Sequence, residues 1–178
     1  SPPTTWEEFR TVCARIKATG IAPLALGARE RWPAQFWFDY LLLRTAGPEY
    51  RQKLMDGEAS YTDPQVLRAF SLWQSLLDAG YFFPAPKAYD WSEAAKQVYH
   101  GQAAMILMGT WIIGLFDGQM GWPQEEGFDF FVFPTVDPGV PDVALGPIDV
   151  LAVAKTGNVR AAEQVLPYFA ATGLQEAM

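Results

Sequence analysis

The residues most able to do chemistry in this sequence are aromatic: 7 Trp, 7 Tyr and 12 Phe among 178 residues. Most must fill the interior, because large rings supply much of the area a fold can bury. A subset sits where a core role is not required. Trp111 follows the apolar run 103–108 and the pair Gly109-Thr110, an order that reads as strand, turn and helix start. Arg31 and Trp32 occupy the same place after the apolar segment 21–26, just ahead of Pro33. Phe36 and Trp37 come in the first turns of the helix that follows. In α/β folds, ligands gather at the carboxyl ends of strands, where such helices begin. An indole there offers a flat apolar floor suited to the C–H face of a sugar ring, and an adjacent Arg can donate paired hydrogen bonds to neighbouring hydroxyls. Asp149, an acid inside the apolar run 148–154, needs a polar partner: a ligand hydroxyl, a backbone group or an arginine. The candidate ligand-binding set is therefore Trp111, Arg31, Trp32, Phe36, Trp37 and Asp149. For the rings, a place in the core is the competing reading; for Arg31, a solvated loop.

Other chemistries lack their parts. Cleaving a glycosidic bond takes two carboxyl groups placed across it. Glu125-Glu126 lie in a Gly/Pro-flanked loop and read as solvated surface, and Asp149 has no evident mate. His100 is the one histidine and Cys13 the one cysteine, too few for a zinc site or a Cys-His pair. Cys13 shares helical spacing with Phe9, Val12 and Ile16, which suits a core position. Neither a Gly-rich phosphate loop nor a nucleophile elbow is present. The expectation is a protein without catalytic residues, metal or cofactor. A carbohydrate-active hydrolase domain and a protein-interaction domain stay open as alternatives; the latter would present a flat apolar patch.

The elements that must hold these residues can be read from caps and breakers. Thr5-Trp6-Glu7-Glu8 has capping-box spacing, and the helix it opens ends at Gly20. A strand is expected at 21–26, then a charged turn, then a helix from Pro33 to about Ala46 that Gly47 stops. A short helix over 48–55 follows. Asp63-Pro64 opens a stronger helix with Val66, Phe70, Trp73 and Leu77 on one face. Asp90-Trp91-Ser92-Glu93 repeats the capping-box spacing for a helix closed by Gly101. Strands are expected at 103–108, 127–133 and 148–154, a helix from Trp111, and a last helix capped by Asn158 and disturbed by Pro167. Short strands separated by long helices predict an α/β fold with a small, mostly parallel sheet packed by helices.

The formal net charge is -7. Residues 1–100 carry 11 Lys/Arg against 11 Asp/Glu, and residues 101–178 carry 2 against 9, so the acidic excess lies wholly in the last part. Without a basic patch the chain is a poor partner for nucleic acid or anionic lipid. No apolar run approaches the ~20 residues that span a bilayer. The sequence opens on Ser1-Pro2-Pro3 with no signal peptide, and its last residues, Gln175 to Met178, stop without a clear helix cap, so it reads as a fragment of a longer protein.

Several motifs then stand in a telling order. Pro3-Thr4-Thr5-Trp6-Glu7-Glu8-Phe9 comes first, followed by Gly20-Ile21-Ala22-Pro23-Leu24-Ala25-Leu26-Gly27 and Trp37-Phe38-Asp39-Tyr40-Leu41-Leu42-Leu43-Arg44. The most specific is Gly101-Gln102-Ala103-Ala104-Met105-Ile106-Leu107-Met108-Gly109-Thr110-Trp111. In this order they resemble the family 1 extracellular solute-binding proteins, which include the maltose-binding type. The resemblance implies a periplasmic-binding-protein-like lobe of a two-lobed, hinged protein that captures a sugar and hands it to ABC permease subunits in the membrane. It implies an extracytoplasmic location. Residues 1–135 would form most of the C-terminal lobe, and 136–178 a hinge-crossing strand and helix returning to the other lobe. It also implies that the aromatic at position 111 stacks on a sugar ring, and that the 31–37 segment and the Asp149 region border the cleft.

Overall fold

The computed structural model describes residues 1–146, 152–155 and 157–169. The chain divides into two compact units, Ser1–Ala144 and Leu145–Met178.

The first unit is built from four α-helices and a small parallel sheet. Helix α1 (Trp6–Ala18) starts at the expected box: Thr5 Oγ1 accepts from the Glu8 N–H, and the Glu8 carboxylate accepts from the Thr5 N–H. Such a cap stabilises a helix by about 1 kcal/mol. Strand β1 (Ala22–Ala25) follows, then the long α2 (Trp32–Met55), α3 (Pro64–Asp78), α4 (Trp91–Tyr99) and strand β2 (Ala103–Ile106). The two strands run parallel in the register Ala22↔Ala103, Leu24↔Met105, Ala25↔Ile106. On the other side of β1, Leu24 bridges the extended residues 81–83: its N–H donates to Tyr81 O at 3.0 Å, and Phe83 N–H donates to Leu24 O at 2.7 Å. The three extended segments therefore share one carboxyl end.

The core lies between this sheet, α1, α2 and α3. Trp6, Phe9 and Cys13 enter from α1, Trp37, Leu41 and Leu42 from α2, and Val66, Ala69 and Leu76 from α3. Burial pushes the Cys13 thiol up to about 12. Arg44 of α2 is a charge inside this core, 1 % exposed. Its guanidinium donates to Val143 O at 2.7 Å and Phe133 O at 3.3 Å, pairs with Asp142 at 3.1 Å and lies over the Tyr40 ring. A buried charge is tolerable only with such partners. Here it straps the irregular segment 133–143 against α2, while Arg68 of α3 holds Asp137 of the same segment.

As expected, helical geometry stops at Gly47 (φ 83, ψ 170) and resumes at Pro48, so α2 is two helical segments joined at a kink. The fold departs from the sequence reading in three places. The buried face of α3 is Val66, Ala69 and Leu76, whereas Phe70 and Leu77 are exposed, because α3 turns its small Ala69 toward α2 and leaves the larger rings at the rim. After β2 the chain makes only a short helical turn before a π-helical turn at Gly114–Gln119, in a glycine-containing stretch where α-helix is weakly favoured. Residues 127–133 carry strand-like composition but form no strand; no neighbouring strand is there to complete their backbone pairing among the described residues.

In the second unit, α5 (Val159–Phe169) begins at Asn158, whose side-chain oxygen accepts from Ala161 N–H at 3.2 Å, and contains Pro167. The strand expected over 148–154 falls largely outside the described residues; 152–154 are irregular.

Candidate ligand-binding face

Two loops leave the carboxyl end of the sheet and are laced together. In the loop after β1, Ala28 N–H donates to Pro86 O at 2.8 Å and Arg29 N–H to Tyr89 O at 3.0 Å. Arg29 then reaches over the start of α4, donating to Asp90 Oδ2 at 2.8 Å and Glu93 Oε2 at 2.9 Å. The backbones come so close that a Cβ on Gly27 would lie 2.0 Å from Asp90 O. Asp90 also caps α4: its carboxylate accepts from the Glu93 N–H and the Ser92 hydroxyl, which with Arg29 nearby hold its pKa below the ordinary range. Because both loops are fixed, the first residues of α2 and α4 lie side by side, and the Trp32 and Trp91 ring centroids are 6.5 Å apart.

The exit from β2 brings in the third element. Trp111 folds its indole back over Gly109, where an added Cβ would sit 2.0 Å from the ring. Ile112, the next residue, is buried and anchors the turn. The indole ends 6.1 Å from both Trp32 and Phe36, and Phe36 packs edge-on to Trp32 at 5.5 Å. Four rings from three elements thus form one face at the carboxyl end of the sheet. Trp111 keeps 40 % of its surface exposed, while Trp32, Phe36 and Trp91 are half-buried.

Arg31 stands at the edge of this face, exposed, with φ 68 and ψ -37, the strained centre of a tight turn closed by the Trp32 N–H donating to Glu30 O at 2.8 Å. Its guanidinium makes no hydrogen bond or ion pair among the described residues and is available to donate to a ligand.

The structure therefore brings together Trp111, Trp32 and Phe36, with Arg31 beside them. Trp37 is excluded from this face. It is 2 % exposed and packs against Phe9, Phe82 and Phe133, because the 100° step of a helix turns the residue after Phe36 into the core. Asp149 lies outside the described residues. The sequence reading does not include Trp91: it stands first in α4 as Trp32 does in α2, but only the lacing of the two loops sets it beside Trp32. Among the described residues no group of three or more His, Cys, Asp or Glu could hold a metal ion.

Residues 1–176 match the family described as bacterial extracellular solute-binding proteins. The chain belongs to that family. This solute-binding protein is 32% identical over 165 residues to an uncharacterized ABC transporter extracellular-binding protein of Pyrococcus horikoshii, covering 92% of this chain and 35% of the relative. Among solved structures it resembles the bacterial solute receptor AcbH, described with an exclusive preference for β-D-galactopyranose, at TM-score 0.69 and 32% identity, covering 79% of this chain and 35% of that one. It also resembles a chitin oligosaccharide binding protein, at TM-score 0.71 and 32% identity, covering 77% of this chain and 34% of that one. The chain spans about a third of the length of these relatives. The α/β architecture with its small parallel sheet is that of a periplasmic solute-binding lobe.

Proposed function

We propose that the protein is the solute-capture component of an ABC importer, working outside the cytoplasm and taking a sugar onto the Trp32–Phe36–Trp91–Trp111 face. The observation that carries this reading is the convergence of four rings from three elements at the carboxyl end of the sheet, with one indole left open. Aromatic faces accept the C–H side of a pyranose, and Arg31 supplies charged donors for hydroxyls at the rim. Both solved relatives are sugar-binding proteins by description. Residues 1–135 serve as most of one lobe and 136–178 connect toward a second. The ligand is held as the lobes close, and the closed form is what the permease subunits recognise. Capture involves no chemical step.

The test is to titrate the protein with a sugar panel while following tryptophan fluorescence and analysing the sugar afterwards. Saturable quenching by a sugar recovered intact supports capture. Release of cleaved sugar, or no response to any sugar, refutes it.

A further inference from the structure

A second concavity of about 580 Å³ adjoins the first face. Trp32 and Arg31 form one side of it, so the two surfaces share a wall. Its floor is polar and already organised. Asp39 of α2, 6 % exposed, accepts from Arg51 Nε and Nη2, both at 3.1 Å, and from Gln35 Nε2 at 3.2 Å. Its far wall is aromatic: Phe38 stacks on Tyr61 at 6.1 Å and on Phe70 at 4.7 Å. Tyr61 is 62 % and Phe70 43 % exposed, a large uncovered ring surface that the core does not use.

This combination is specific. A site for an apolar guest would not hold an Arg–Asp–Gln network, and a site for an anion would not place a carboxylate at its base. Planar polar side chains fixed by one another, facing open aromatic rings, suit a ligand with both hydroxyl edges and apolar C–H faces. The volume is also that of a small-molecule cleft. We propose that this concavity is an extension subsite, and that the protein captures an oligosaccharide whose further units pass over Trp32 and lie against Tyr61 and Phe70. The inference rests on the sugar-capture reading above and adds the ligand's length and the direction in which it runs.

Two ladders test it by calorimetry: D-galactose with its β-linked oligomers, and N-acetylglucosamine with the chito-oligosaccharides, each from one to four units. In a ladder that binds, affinity should rise about tenfold or more from one unit to three, as further apolar ring area is covered. Tyr61→Ala and Phe70→Ala should each remove most of that gain and leave the monosaccharide affinity within about twofold, whereas Trp111→Ala should weaken every member. A flat ladder, or a gain that survives both substitutions while the monosaccharide still binds, overturns the extension and leaves the capture reading standing. Binding of no member of either ladder by the unaltered protein overturns both.

Discussion

Replacing Trp111 with alanine tests the core of the functional reading. A tryptophan side chain presents up to about 250 Å², and Trp111 keeps 40 % of its surface exposed. About 100 Å² of ring is then available to be covered by a ligand. At roughly 25 cal/mol per Å², covering it contributes about 2.5 kcal/mol at most, and about half that if the sugar covers only part of the face. Trp111→Ala should therefore weaken sugar affinity by about tenfold to seventyfold. Stability should fall as well, because the rest of the indole packs against Gly109, Trp32 and Phe36, while Ile112 and Leu115 keep the segment anchored in the core. Trp111→Phe should recover part of the loss, since a smaller ring still stacks. Calorimetric titration with the best ligand of the panel reads the affinity, and urea unfolding reads the stability. An affinity within about twofold of the unaltered protein, in a variant that urea unfolding shows to be folded under the titration conditions, would refute the placement of the sugar on this indole.

Gly109→Ala attacks the same contact from beneath, since its Cβ would meet the Trp111 ring at 2.0 Å; affinity should fall several-fold with the melting temperature nearly unchanged, and unaltered affinity would count against a fixed indole. Arg44→Met should cost about 2–4 kcal/mol in urea unfolding, because the Phe133 and Val143 carbonyls lose their donor; a loss under 1 kcal/mol would mean that water replaces the guanidinium. The Cys13 thiol, pushed up to about 12 by burial, should be about one part in ten thousand thiolate at pH 8, against about a quarter for an exposed cysteine; maleimide should label it only after denaturant is added, and prompt labelling of the native protein would refute its burial. Asp90 has a lowered pKa in the fold, so its contribution to stability is present above the ordinary aspartate value of about 3.9 and is lost as pH falls through the lower native value. Urea midpoints of Asp90→Ala should accordingly fall less steeply with acid than those of the unaltered protein below about pH 4, and identical slopes would remove Asp90 as the clamp.

The elements that were legible in the sequence are those whose signals are local. The boxes at Thr5 and Asp90, the stop near Gly20 and the cap at Asn158 each depend on residues three or four apart, and the helices begin where those residues stand. The two short strands were readable as apolar runs between turns, slightly longer than they are. The segment 127–133 misled, because strand composition does not supply a strand neighbour. The face of α3 misled as well: its four spaced apolar residues could turn more than one way, and contact with α2 chose Ala69 over Phe70.

The same division runs through the candidate site. The sequence alone established that Trp111 and Trp32 stand at strand exits, that Arg31 adjoins one of them, and that the motifs follow the order of a solute-binding family. The tertiary structure decided which rings meet. Arg29 and the backbone bonds of residues 28 and 29 bring Trp91, a residue 59 positions beyond Trp32, to its side, and a contact across that separation leaves no mark in local spacing. It also sent Trp37 inward and Phe36 outward, since the sheet and α1 cover only one side of α2. Helical periodicity says that two neighbours must part; only the surface they pack against says which of them is left to face a ligand.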